Sequence, residues 1–523
     1  MKPILILLCV LGGSVLQAAE RPNILLFLAD DLGYADIGVN GCQDIPTPHI
    51  DGIAKNGVRF TDGYATHPVC SPSRAGLMSG MYQHRFGFEH NSGPERYASP
   101  EFGQPREVPT LAEKLKTAGY ATGMIGKWHI GFKEGLRPHE RGFDSHYGFL
   151  SGARSFYPDS PRETDPIVRN GVPVTDETDY LTDAFAREAV DFVQRSKDQP
   201  WFLYFAFNAV HSPLEATEAY EARSPHISDP KRKTYAGMLS ALDDAVGRVL
   251  AKVRELGQEE DTLVMFYSDN GGPTAETSSR NDPLRGFKGQ MYEGGIRVPF
   301  VMQWKGKLPG GITYTQPVMG FDCHATALAA AGVSPKEKLD GVDLLPHLLG
   351  EATAAPHEFL CWRAGAQRAI RLGDWKLVQT PRESTAQLFN LRADLGETTD
   401  LAAREPAKLA ELTARFTAWE AGTIPAKWIR QDQRNAEPGG KLKSGPGGGS
   451  MRRPGNPAAP GSRVDDSFKK ADANNDGKLT REEYPQKEVF DAVDANRDGQ
   501  ATLEEVRSYY QKRRIQSSPD PQP

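Results

Sequence analysis

Four apolar runs in the first part of the chain each end in residues that ionise or bind ligands. Asn23 to Ala29 (N-I-L-L-F-L-A) runs into Asp30-Asp31, and Ala121 to Gly126 runs into Lys127-Trp128-His129. Trp201 to Phe207 (W-F-L-Y-F-A-F) leads to Asn208 and His211, and Thr262 to Ser268 (T-L-V-M-F-Y-S) leads to Asp269-Asn270. Continuous apolar runs of this length fit strands covered on both faces, as in parallel sheets. Between them the spacing turns helical. Thr110-Leu111-Ala112-Glu113 predicts a capping-box start with Leu111, Leu115 and Ala118 on one side and Gly119 as the stop. Tyr235 to Leu256 places Leu239, Leu242, Val246, Val249 and Val253 at helical spacing before Gly257. Strands alternating with helices predict an α/β layered sheet with helices on both faces, whose ligand sites lie at the carboxyl ends of the strands. All four polar clusters fall there.

Beyond Gly341 the pattern changes. Arg368 to Gln379 and Gln387 to Leu391 read as short antiparallel strands, and Glu405 to Ala421 as a helix, which together predict a small α+β subdomain. Pro438 to Ser462, with Gly-Pro-Gly-Gly-Gly and Pro-Ala-Ala-Pro, reads as a low-complexity linker. After it, Asp472, Asn474, Asp476, Lys478 (through its carbonyl), Thr480 and Glu483, with Gly477 at the turn, fill the positions of a calcium-binding EF-hand loop. Asp494, Asn496, Asp498, Gln500 (through its carbonyl), Thr502 and Glu505, with Gly499, repeat it. The stretch between the loops, Tyr484 to Val493, is short and holds Pro485, so a compact all-α EF-hand pair is expected.

Composition narrows the class without naming it. The 523 residues carry a net charge of −6, with 38% hydrophobic and 25% charged residues, as in a soluble globular protein of two or three domains. So mild a charge gives no basic face for nucleic acid. Lys2, the apolar stretch Ile4 to Leu11 and Ala18-Ala19 predict a secretory signal, and that stretch is too short for a bilayer, which takes about 20 residues. The mature protein is expected to be exported, periplasmic or extracellular, with no transmembrane segment. Of the cysteines, Cys42, Cys323 and Cys361 remain beside Cys9 in the signal and Cys70, an odd set that cannot serve as a disulfide framework.

Cys70-Ser71-Pro72-Ser73-Arg74, continued by Leu77-Met78-Ser79-Gly80, resembles the C-x-P-S-R signature of the formylglycine sulfatases. Other segments share the resemblance: Asp30-Asp31, Gly126-Lys127-Trp128-His129, Asp269-Asn270-Gly271-Gly272, and Lys288 before Glu293-Gly294-Gly295-Ile296-Arg297. The D-W-K-L stretch at Asp374 to Leu377 and Leu395-Gly396-Glu397-Thr398-Thr399 match the family's C-terminal subdomain. The resemblance implies an alkaline-phosphatase-like fold and a partner enzyme that oxidises Cys70 to formylglycine. It further implies that one hydroxyl of the hydrated aldehyde attacks the sulfur of a sulfate ester while the other allows sulfate to be expelled.

Carried over residue by residue, Asp30, Asp31, Asp269, Asn270 and modified Cys70 would form the metal shell. An all-oxygen set of this kind suits calcium or magnesium, and calcium is the expected ion, one here and up to two in the EF-hand pair. Lys127 and Lys288 would bind sulfate oxygens, His129 would hold the formylglycine hydroxyl, Arg74 would brace it, and His211 would sit by the leaving oxygen. A helix expected after Ser73 would point its N-terminus at the anion. His49 is read as a turn or cap residue, while His84, His90, Arg154, Tyr157 and His324 lie in segments that could line the pocket mouth.

The expected domains are residues 1–19 (signal), 20–355 (catalytic), 356–430 (C-terminal subdomain), 431–463 (linker), 464–514 (EF-hand module) and 515–523 (tail). The expected substrate is a sulfated carbohydrate. Likeness to bacterial relatives of N-acetylgalactosamine-6-sulfatases, including Arg141-Gly142-Phe143-Asp144 and Tyr147-Gly148-Phe149, points to a galactose or N-acetylgalactosamine unit. Two alternatives stay open at this point: a phosphonate or phosphate-diester hydrolase with the same aldehyde, and a non-catalytic calcium-dependent glycan-binding protein. The EF-hand module is allowed an unknown partner of its own.

Overall fold

Side chains alternate along the strand Asn23–Ala29, so this one strand feeds two cores. Leu25, Phe27 and Ala29 pack with the helices Leu181–Arg195 and Pro230–Glu255. Ile24, Leu26 and Leu28 pack on the other face with Cys70–Ser79, Leu111–Thr117 and Asp322–Ala330. Burial on both faces is what the unbroken apolar runs require.

The computed structural model describes residues 21–91, 101–160, 165–381, 383 and 385–428, then 468, 471, 472, 474, 476–484 and 487–516. The signal at 1–19 and the linker at 431–463 lie outside the described residues, as do 464–467 of the EF-hand module and most of the tail. Two compact units divide between Lys441 and Leu442.

In the first unit, a ten-stranded mixed sheet has a parallel centre in the order Thr262–Ser268, Asn23–Ala29, Trp201–Ala206, Ala121–Lys127, Ser145–Phe149. Leu25 pairs with both Leu203 and Val264, which puts the ends of these strands level. Phe300–Gln303 adds an antiparallel neighbour to Thr262–Ser268. The capping box forms as expected, Thr110 Oγ1 accepting from Glu113 N at 3.1 Å and Glu113 Oε2 from Thr110 N at 2.6 Å. The long helix starts earlier than its apolar spacing, at Pro230, because Asp229 caps it by accepting from Arg232 N at 2.7 Å.

A four-stranded antiparallel sheet follows: Phe359–Ala364, Gln367–Leu372, Trp375–Gln379 and Gln387–Asn390. Its tight turns use Gly365 and Gly373, both at φ +58°. One face packs on the helix Pro406–Glu420 through Leu412 and Phe416. The other, with Leu360, Trp362 and Val378, packs on Tyr64, Met291 and Ile296 near the first sheet.

In the second unit, Lys478–Thr480 and Gln500–Thr502 pair antiparallel between the two loops, over Phe468, Leu479, Tyr484, Phe490, Val493 and Val506. Asp472 accepts from Asp476 N and Gly477 N at 3.1 and 2.9 Å, and Asp494 does the same for Asp498 N and Gly499 N at 3.2 and 2.9 Å. Gly477 and Gly499 take the left-handed turn at φ +80° and +83°. Among the described residues no helix is long and apolar enough to cross a membrane.

Candidate active site

The four strand ends converge with the Cys70 segment. Asp30 and Asp31 follow Ala29, Lys127 closes its own strand, and Asp269 donates its N–H to Ala29 O at 3.1 Å. Lys127 Nζ is 2.5 Å from Asp30 Oδ2, with neither side chain exposed. Lys288 Nζ reaches Asp31 Oδ1 at 2.6 Å. Asp31 and His129 both adopt left-handed backbone, at φ 65° and 62°, which costs a non-glycine residue about 1 kcal/mol or more and is found where a site needs it.

Cys70 differs in setting from the expectation. The helix begins at Cys70 itself, with Val69 as its cap, rather than after Ser73. Pro72 is tolerated because the first turn has no intrahelical partner for its missing N–H. The thiol is therefore buried in a first helical turn, not held on an open turn, with Sγ 3.6 Å from Asp30 Oδ1. Burial pushes it up to about 12, against the pull of Lys127 and Lys288, so the unmodified side chain stays a thiol.

Charge balance fixes the rest. Burial raises the Asp30 carboxyl, but the charges of Lys127, Arg74 and Lys288 outweigh it and hold it below the usual carboxylate range. Burial and the Asp30 charge push Asp269 up to about 7 against Arg74 and Lys127. Burial, with Lys127 and Arg74, keeps His129 well below the usual histidine range. His211 is lowered by burial and Lys288. Its Nδ1 faces Ser212 O at 2.6 Å, so Nδ1 carries the hydrogen and Nε2, 3.6 Å from Asp31 Oδ2, is the free acceptor of the neutral ring.

The ligand atoms of Asp30, Asp31, Cys70 and His211 all lie within 4.8 Å of one another. His211 thus joins this cluster, and Asp269, which the sequence also placed among the ligands, accepts from Arg74 Nε through Oδ2 at 2.9 Å. Asn270 donates to Asp31 Oδ1 at 2.7 Å, and its own Oδ1 is buried with no hydrogen-bond partner. An orphaned buried carbonyl oxygen beside paired carboxylates fits a hard cation.

Asn208, noted at the end of its apolar run, is given no role by the sequence. It is buried with both side-chain amide atoms unpartnered, while its backbone carbonyl accepts from His211 N at 2.9 Å. Its place just past an apolar run was the available signal. His324 packs elsewhere, between Lys114 Nζ and Leu77 O, and His84 faces Arg363 O. His49 lies in the first turn of the helix Pro48–Lys55, its N–H donating to Asp243.

The sulfatase family profile matches residues 22–333, more than half of the 523-residue chain. The chain belongs to the sulfatase family. This sulfatase is similar to N-acetylgalactosamine-6-sulfatase of Sus scrofa, at 34% identity over 396 residues that cover 71% of the chain and 74% of that protein. It is 31% identical over 478 residues to arylsulfatase J of Mus musculus, covering 80% and 78%. The crystal structure of Ps i-CgsB in complex with k-i-k-neocarrahexaose matches at TM-score 0.75 and 36% identity, over 80% of this chain and 96% of that one. The phosphonate monoester hydrolase of Agrobacterium radiobacter, at 21% identity and TM-score 0.58, shares the fold alone. The EF-hand profile matches residues 464–484 and 486–508. The fold is the alkaline-phosphatase-like one of sulfatases, and the protein is an enzyme, which removes the non-catalytic alternative.

Proposed function

We propose that this sulfatase removes sulfate from a galactose or N-acetylgalactosamine unit of a sulfated carbohydrate, using Cys70 matured to formylglycine by a generating enzyme, and releases inorganic sulfate. The observation that carries the reading is the gathering of Asp30 and Asp31 at Cys70, with the unpartnered Asn270 oxygen beside Asp31, the buried Lys127 on Asp30 and the part-buried Lys288 on Asp31. The substrate class follows from the similar N-acetylgalactosamine-6-sulfatases and from a similar structure that holds a neocarrahexaose.

Asp30, Asp31, Asn270, Asp269 and the matured Cys70 side chain would hold a calcium ion. Bound there, the ion supplies positive charge for one sulfate oxygen and favours a hydroxyl oxygen at position 70 as nucleophile. Lys127 and Lys288 offer ammonium hydrogens where negative charge spreads over the sulfuryl oxygens. Arg74 fixes Asp269 and the end of the Lys127 strand. His129, neutral and buried, is suited to hold a hydroxyl at position 70, and His211 Nε2 to face the leaving oxygen. The Cys70–Ser79 helix starts at the nucleophile, so the positive end of its dipole favours an anion there, although Ser71 N already donates to Asn91 Oδ1 at 2.9 Å.

The domain boundaries set out above, export through residues 1–19 and calcium binding by Asp472 to Glu483 and Asp494 to Glu505 belong to the same proposal. The test is the mass of the Cys70 peptide after co-production with a generating enzyme, alongside sulfate release from a panel of sulfated galactose and N-acetylgalactosamine saccharides. An unmodified thiol, or release from aryl sulfates with none from any glycan, would contradict the maturation and the substrate class respectively.

A further inference from the structure

Two motifs of the small sheet take no part in the chemistry above, yet their charged residues are buried. Lys376, on the strand Trp375–Gln379, places Nζ 2.7 Å from Glu293 Oε1 and 2.9 Å from Glu397 Oε1, and none of the three side chains is exposed. Glu397 Oε2 accepts from Glu293 N at 2.7 Å, and Glu293 Oε2 from Tyr64 Oη at 2.6 Å. Glu397 holds left-handed backbone at φ 51°, a cost its surroundings must offset. Two carboxylates buried together need a cation, and here Lys376 touches both.

This network grips the segment that carries Lys288. Glu293 opens the turn Glu293–Ile296, whose glycines lie against the lysine loop. A β-carbon at Gly294 would fall 2.4 Å from Gly286 O, and one at Gly295 would fall 2.1 Å from Gln290 O and 2.8 Å from Phe287 O. Gly294 N donates to Arg285 O at 2.7 Å, and Arg285 Nη1 donates to Glu397 O at 2.7 Å. On its other side the turn meets the residues after Asn270, with Gly271 N donating to Gly295 O at 3.1 Å. The loop bearing Lys288 therefore has little freedom to shift unless Glu293 or Glu397 shifts too.

We infer that Lys376 and Glu397 are positioning residues for Lys288, so that the small sheet sets the place of a sulfate-binding lysine in the neighbouring 285–290 loop. The inference rests on the reading of Lys288 as a sulfate contact. It is tested in the full-length chain with Lys376→Met, Lys376→Arg, Glu397→Gln, Lys288→Ala and the Lys376→Met/Lys288→Ala double variant. The readouts are kcat and KM for an aryl sulfate and inhibition by inorganic sulfate, taken well below each variant's melting temperature.

Lys376→Met is expected to lower kcat/KM at least about tenfold and weaken sulfate inhibition, with Lys376→Arg recovering most of the loss. In the Lys288→Ala background the same change should cost less than about twofold, because the residue it acts through is already gone. Equal losses in both backgrounds would overturn the inference. If Lys376→Met does not fold, Glu397→Gln takes its place in the cycle, since it keeps the side chain's shape. Should the wild-type enzyme release no sulfate from any ester, the reading of Lys288 fails first. A crystal structure of Glu397→Gln then decides the positioning alone: displacement of residues 285–290 supports it, and an unmoved loop overturns it.

Discussion

Arg74 Nε donates to Asp269 Oδ2 at 2.9 Å while Arg74 Nη1 donates to the carbonyl of Lys127 at 2.9 Å, so one buried guanidinium joins two strand ends beside the nucleophile. A lysine can supply charge at this position but not both bonds in one fixed plane. Arg74→Lys should therefore cut kcat/KM by about a hundredfold or more. Arg74→Ala, which leaves Asp269 buried without its partner, should also lose about 3 kcal/mol of stability. Kinetics and urea unfolding check both, and a fully active Arg74→Lys would show that the fork geometry is not used.

The unmodified Cys70 thiol is pushed up to about 12 by burial, so in the native, calcium-free protein its thiolate is scarce at pH 8 and increases only as pH rises towards that value. Alkylation of immature Cys70 by iodoacetamide at pH 8 in chelator should run about a thousandfold slower than in urea, followed by the mass of its peptide. Comparable rates in the two conditions would mean that the thiol is neither buried nor perturbed.

Asn270 offers a buried oxygen with no partner, which is a poor arrangement unless a cation takes it. Asn270→Leu removes that oxygen at similar size. The calcium concentration giving half-maximal activity should rise about tenfold or more. An unchanged calcium requirement would remove Asn270 from the ligand set.

The paired EF-hand loops place Asp472 and Asp494 at the first ligand position of each. In the full-length chain an Asp472→Ala/Asp494→Ala double variant should bind up to two fewer calcium ions by equilibrium dialysis. Turnover of a small aryl sulfate should stay within about twofold, because every residue assigned to the chemistry precedes Gly289. A severe loss of turnover in the folded variant would tie the module to catalysis.

Much of this site could be read from the chain because strand ends in a parallel sheet must carry it. The runs ending at Asp30, Lys127 and Asp269 met as expected, since their period and length left little choice of face. What escaped depended on partners distant in sequence or on local rules that compete. Pro72 signals a loop, yet the first helical turn accepts it, so the helix reaches back to Cys70. Asp269 reads as a ligand, but its second role as the partner of Arg74 is announced by no spacing. The strand Phe359–Ala364 is a short apolar run with a charged end, which periodicity alone does not separate from a loop. Lys376 looks like any strand lysine until Glu293 and Glu397 close over it.

The most direct measurement is the rate of inorganic sulfate release from an aryl sulfate by the matured enzyme and by Cys70→Ala, prepared side by side. Removal of the nucleophile should lower the rate at least about a thousandfold, equivalent to ~4 kcal/mol in barrier. The two proteins should melt within a few degrees of each other, because only a small buried side chain is lost. Steady sulfate release by folded Cys70→Ala at a rate near that of the wild type would contradict catalysis through residue 70.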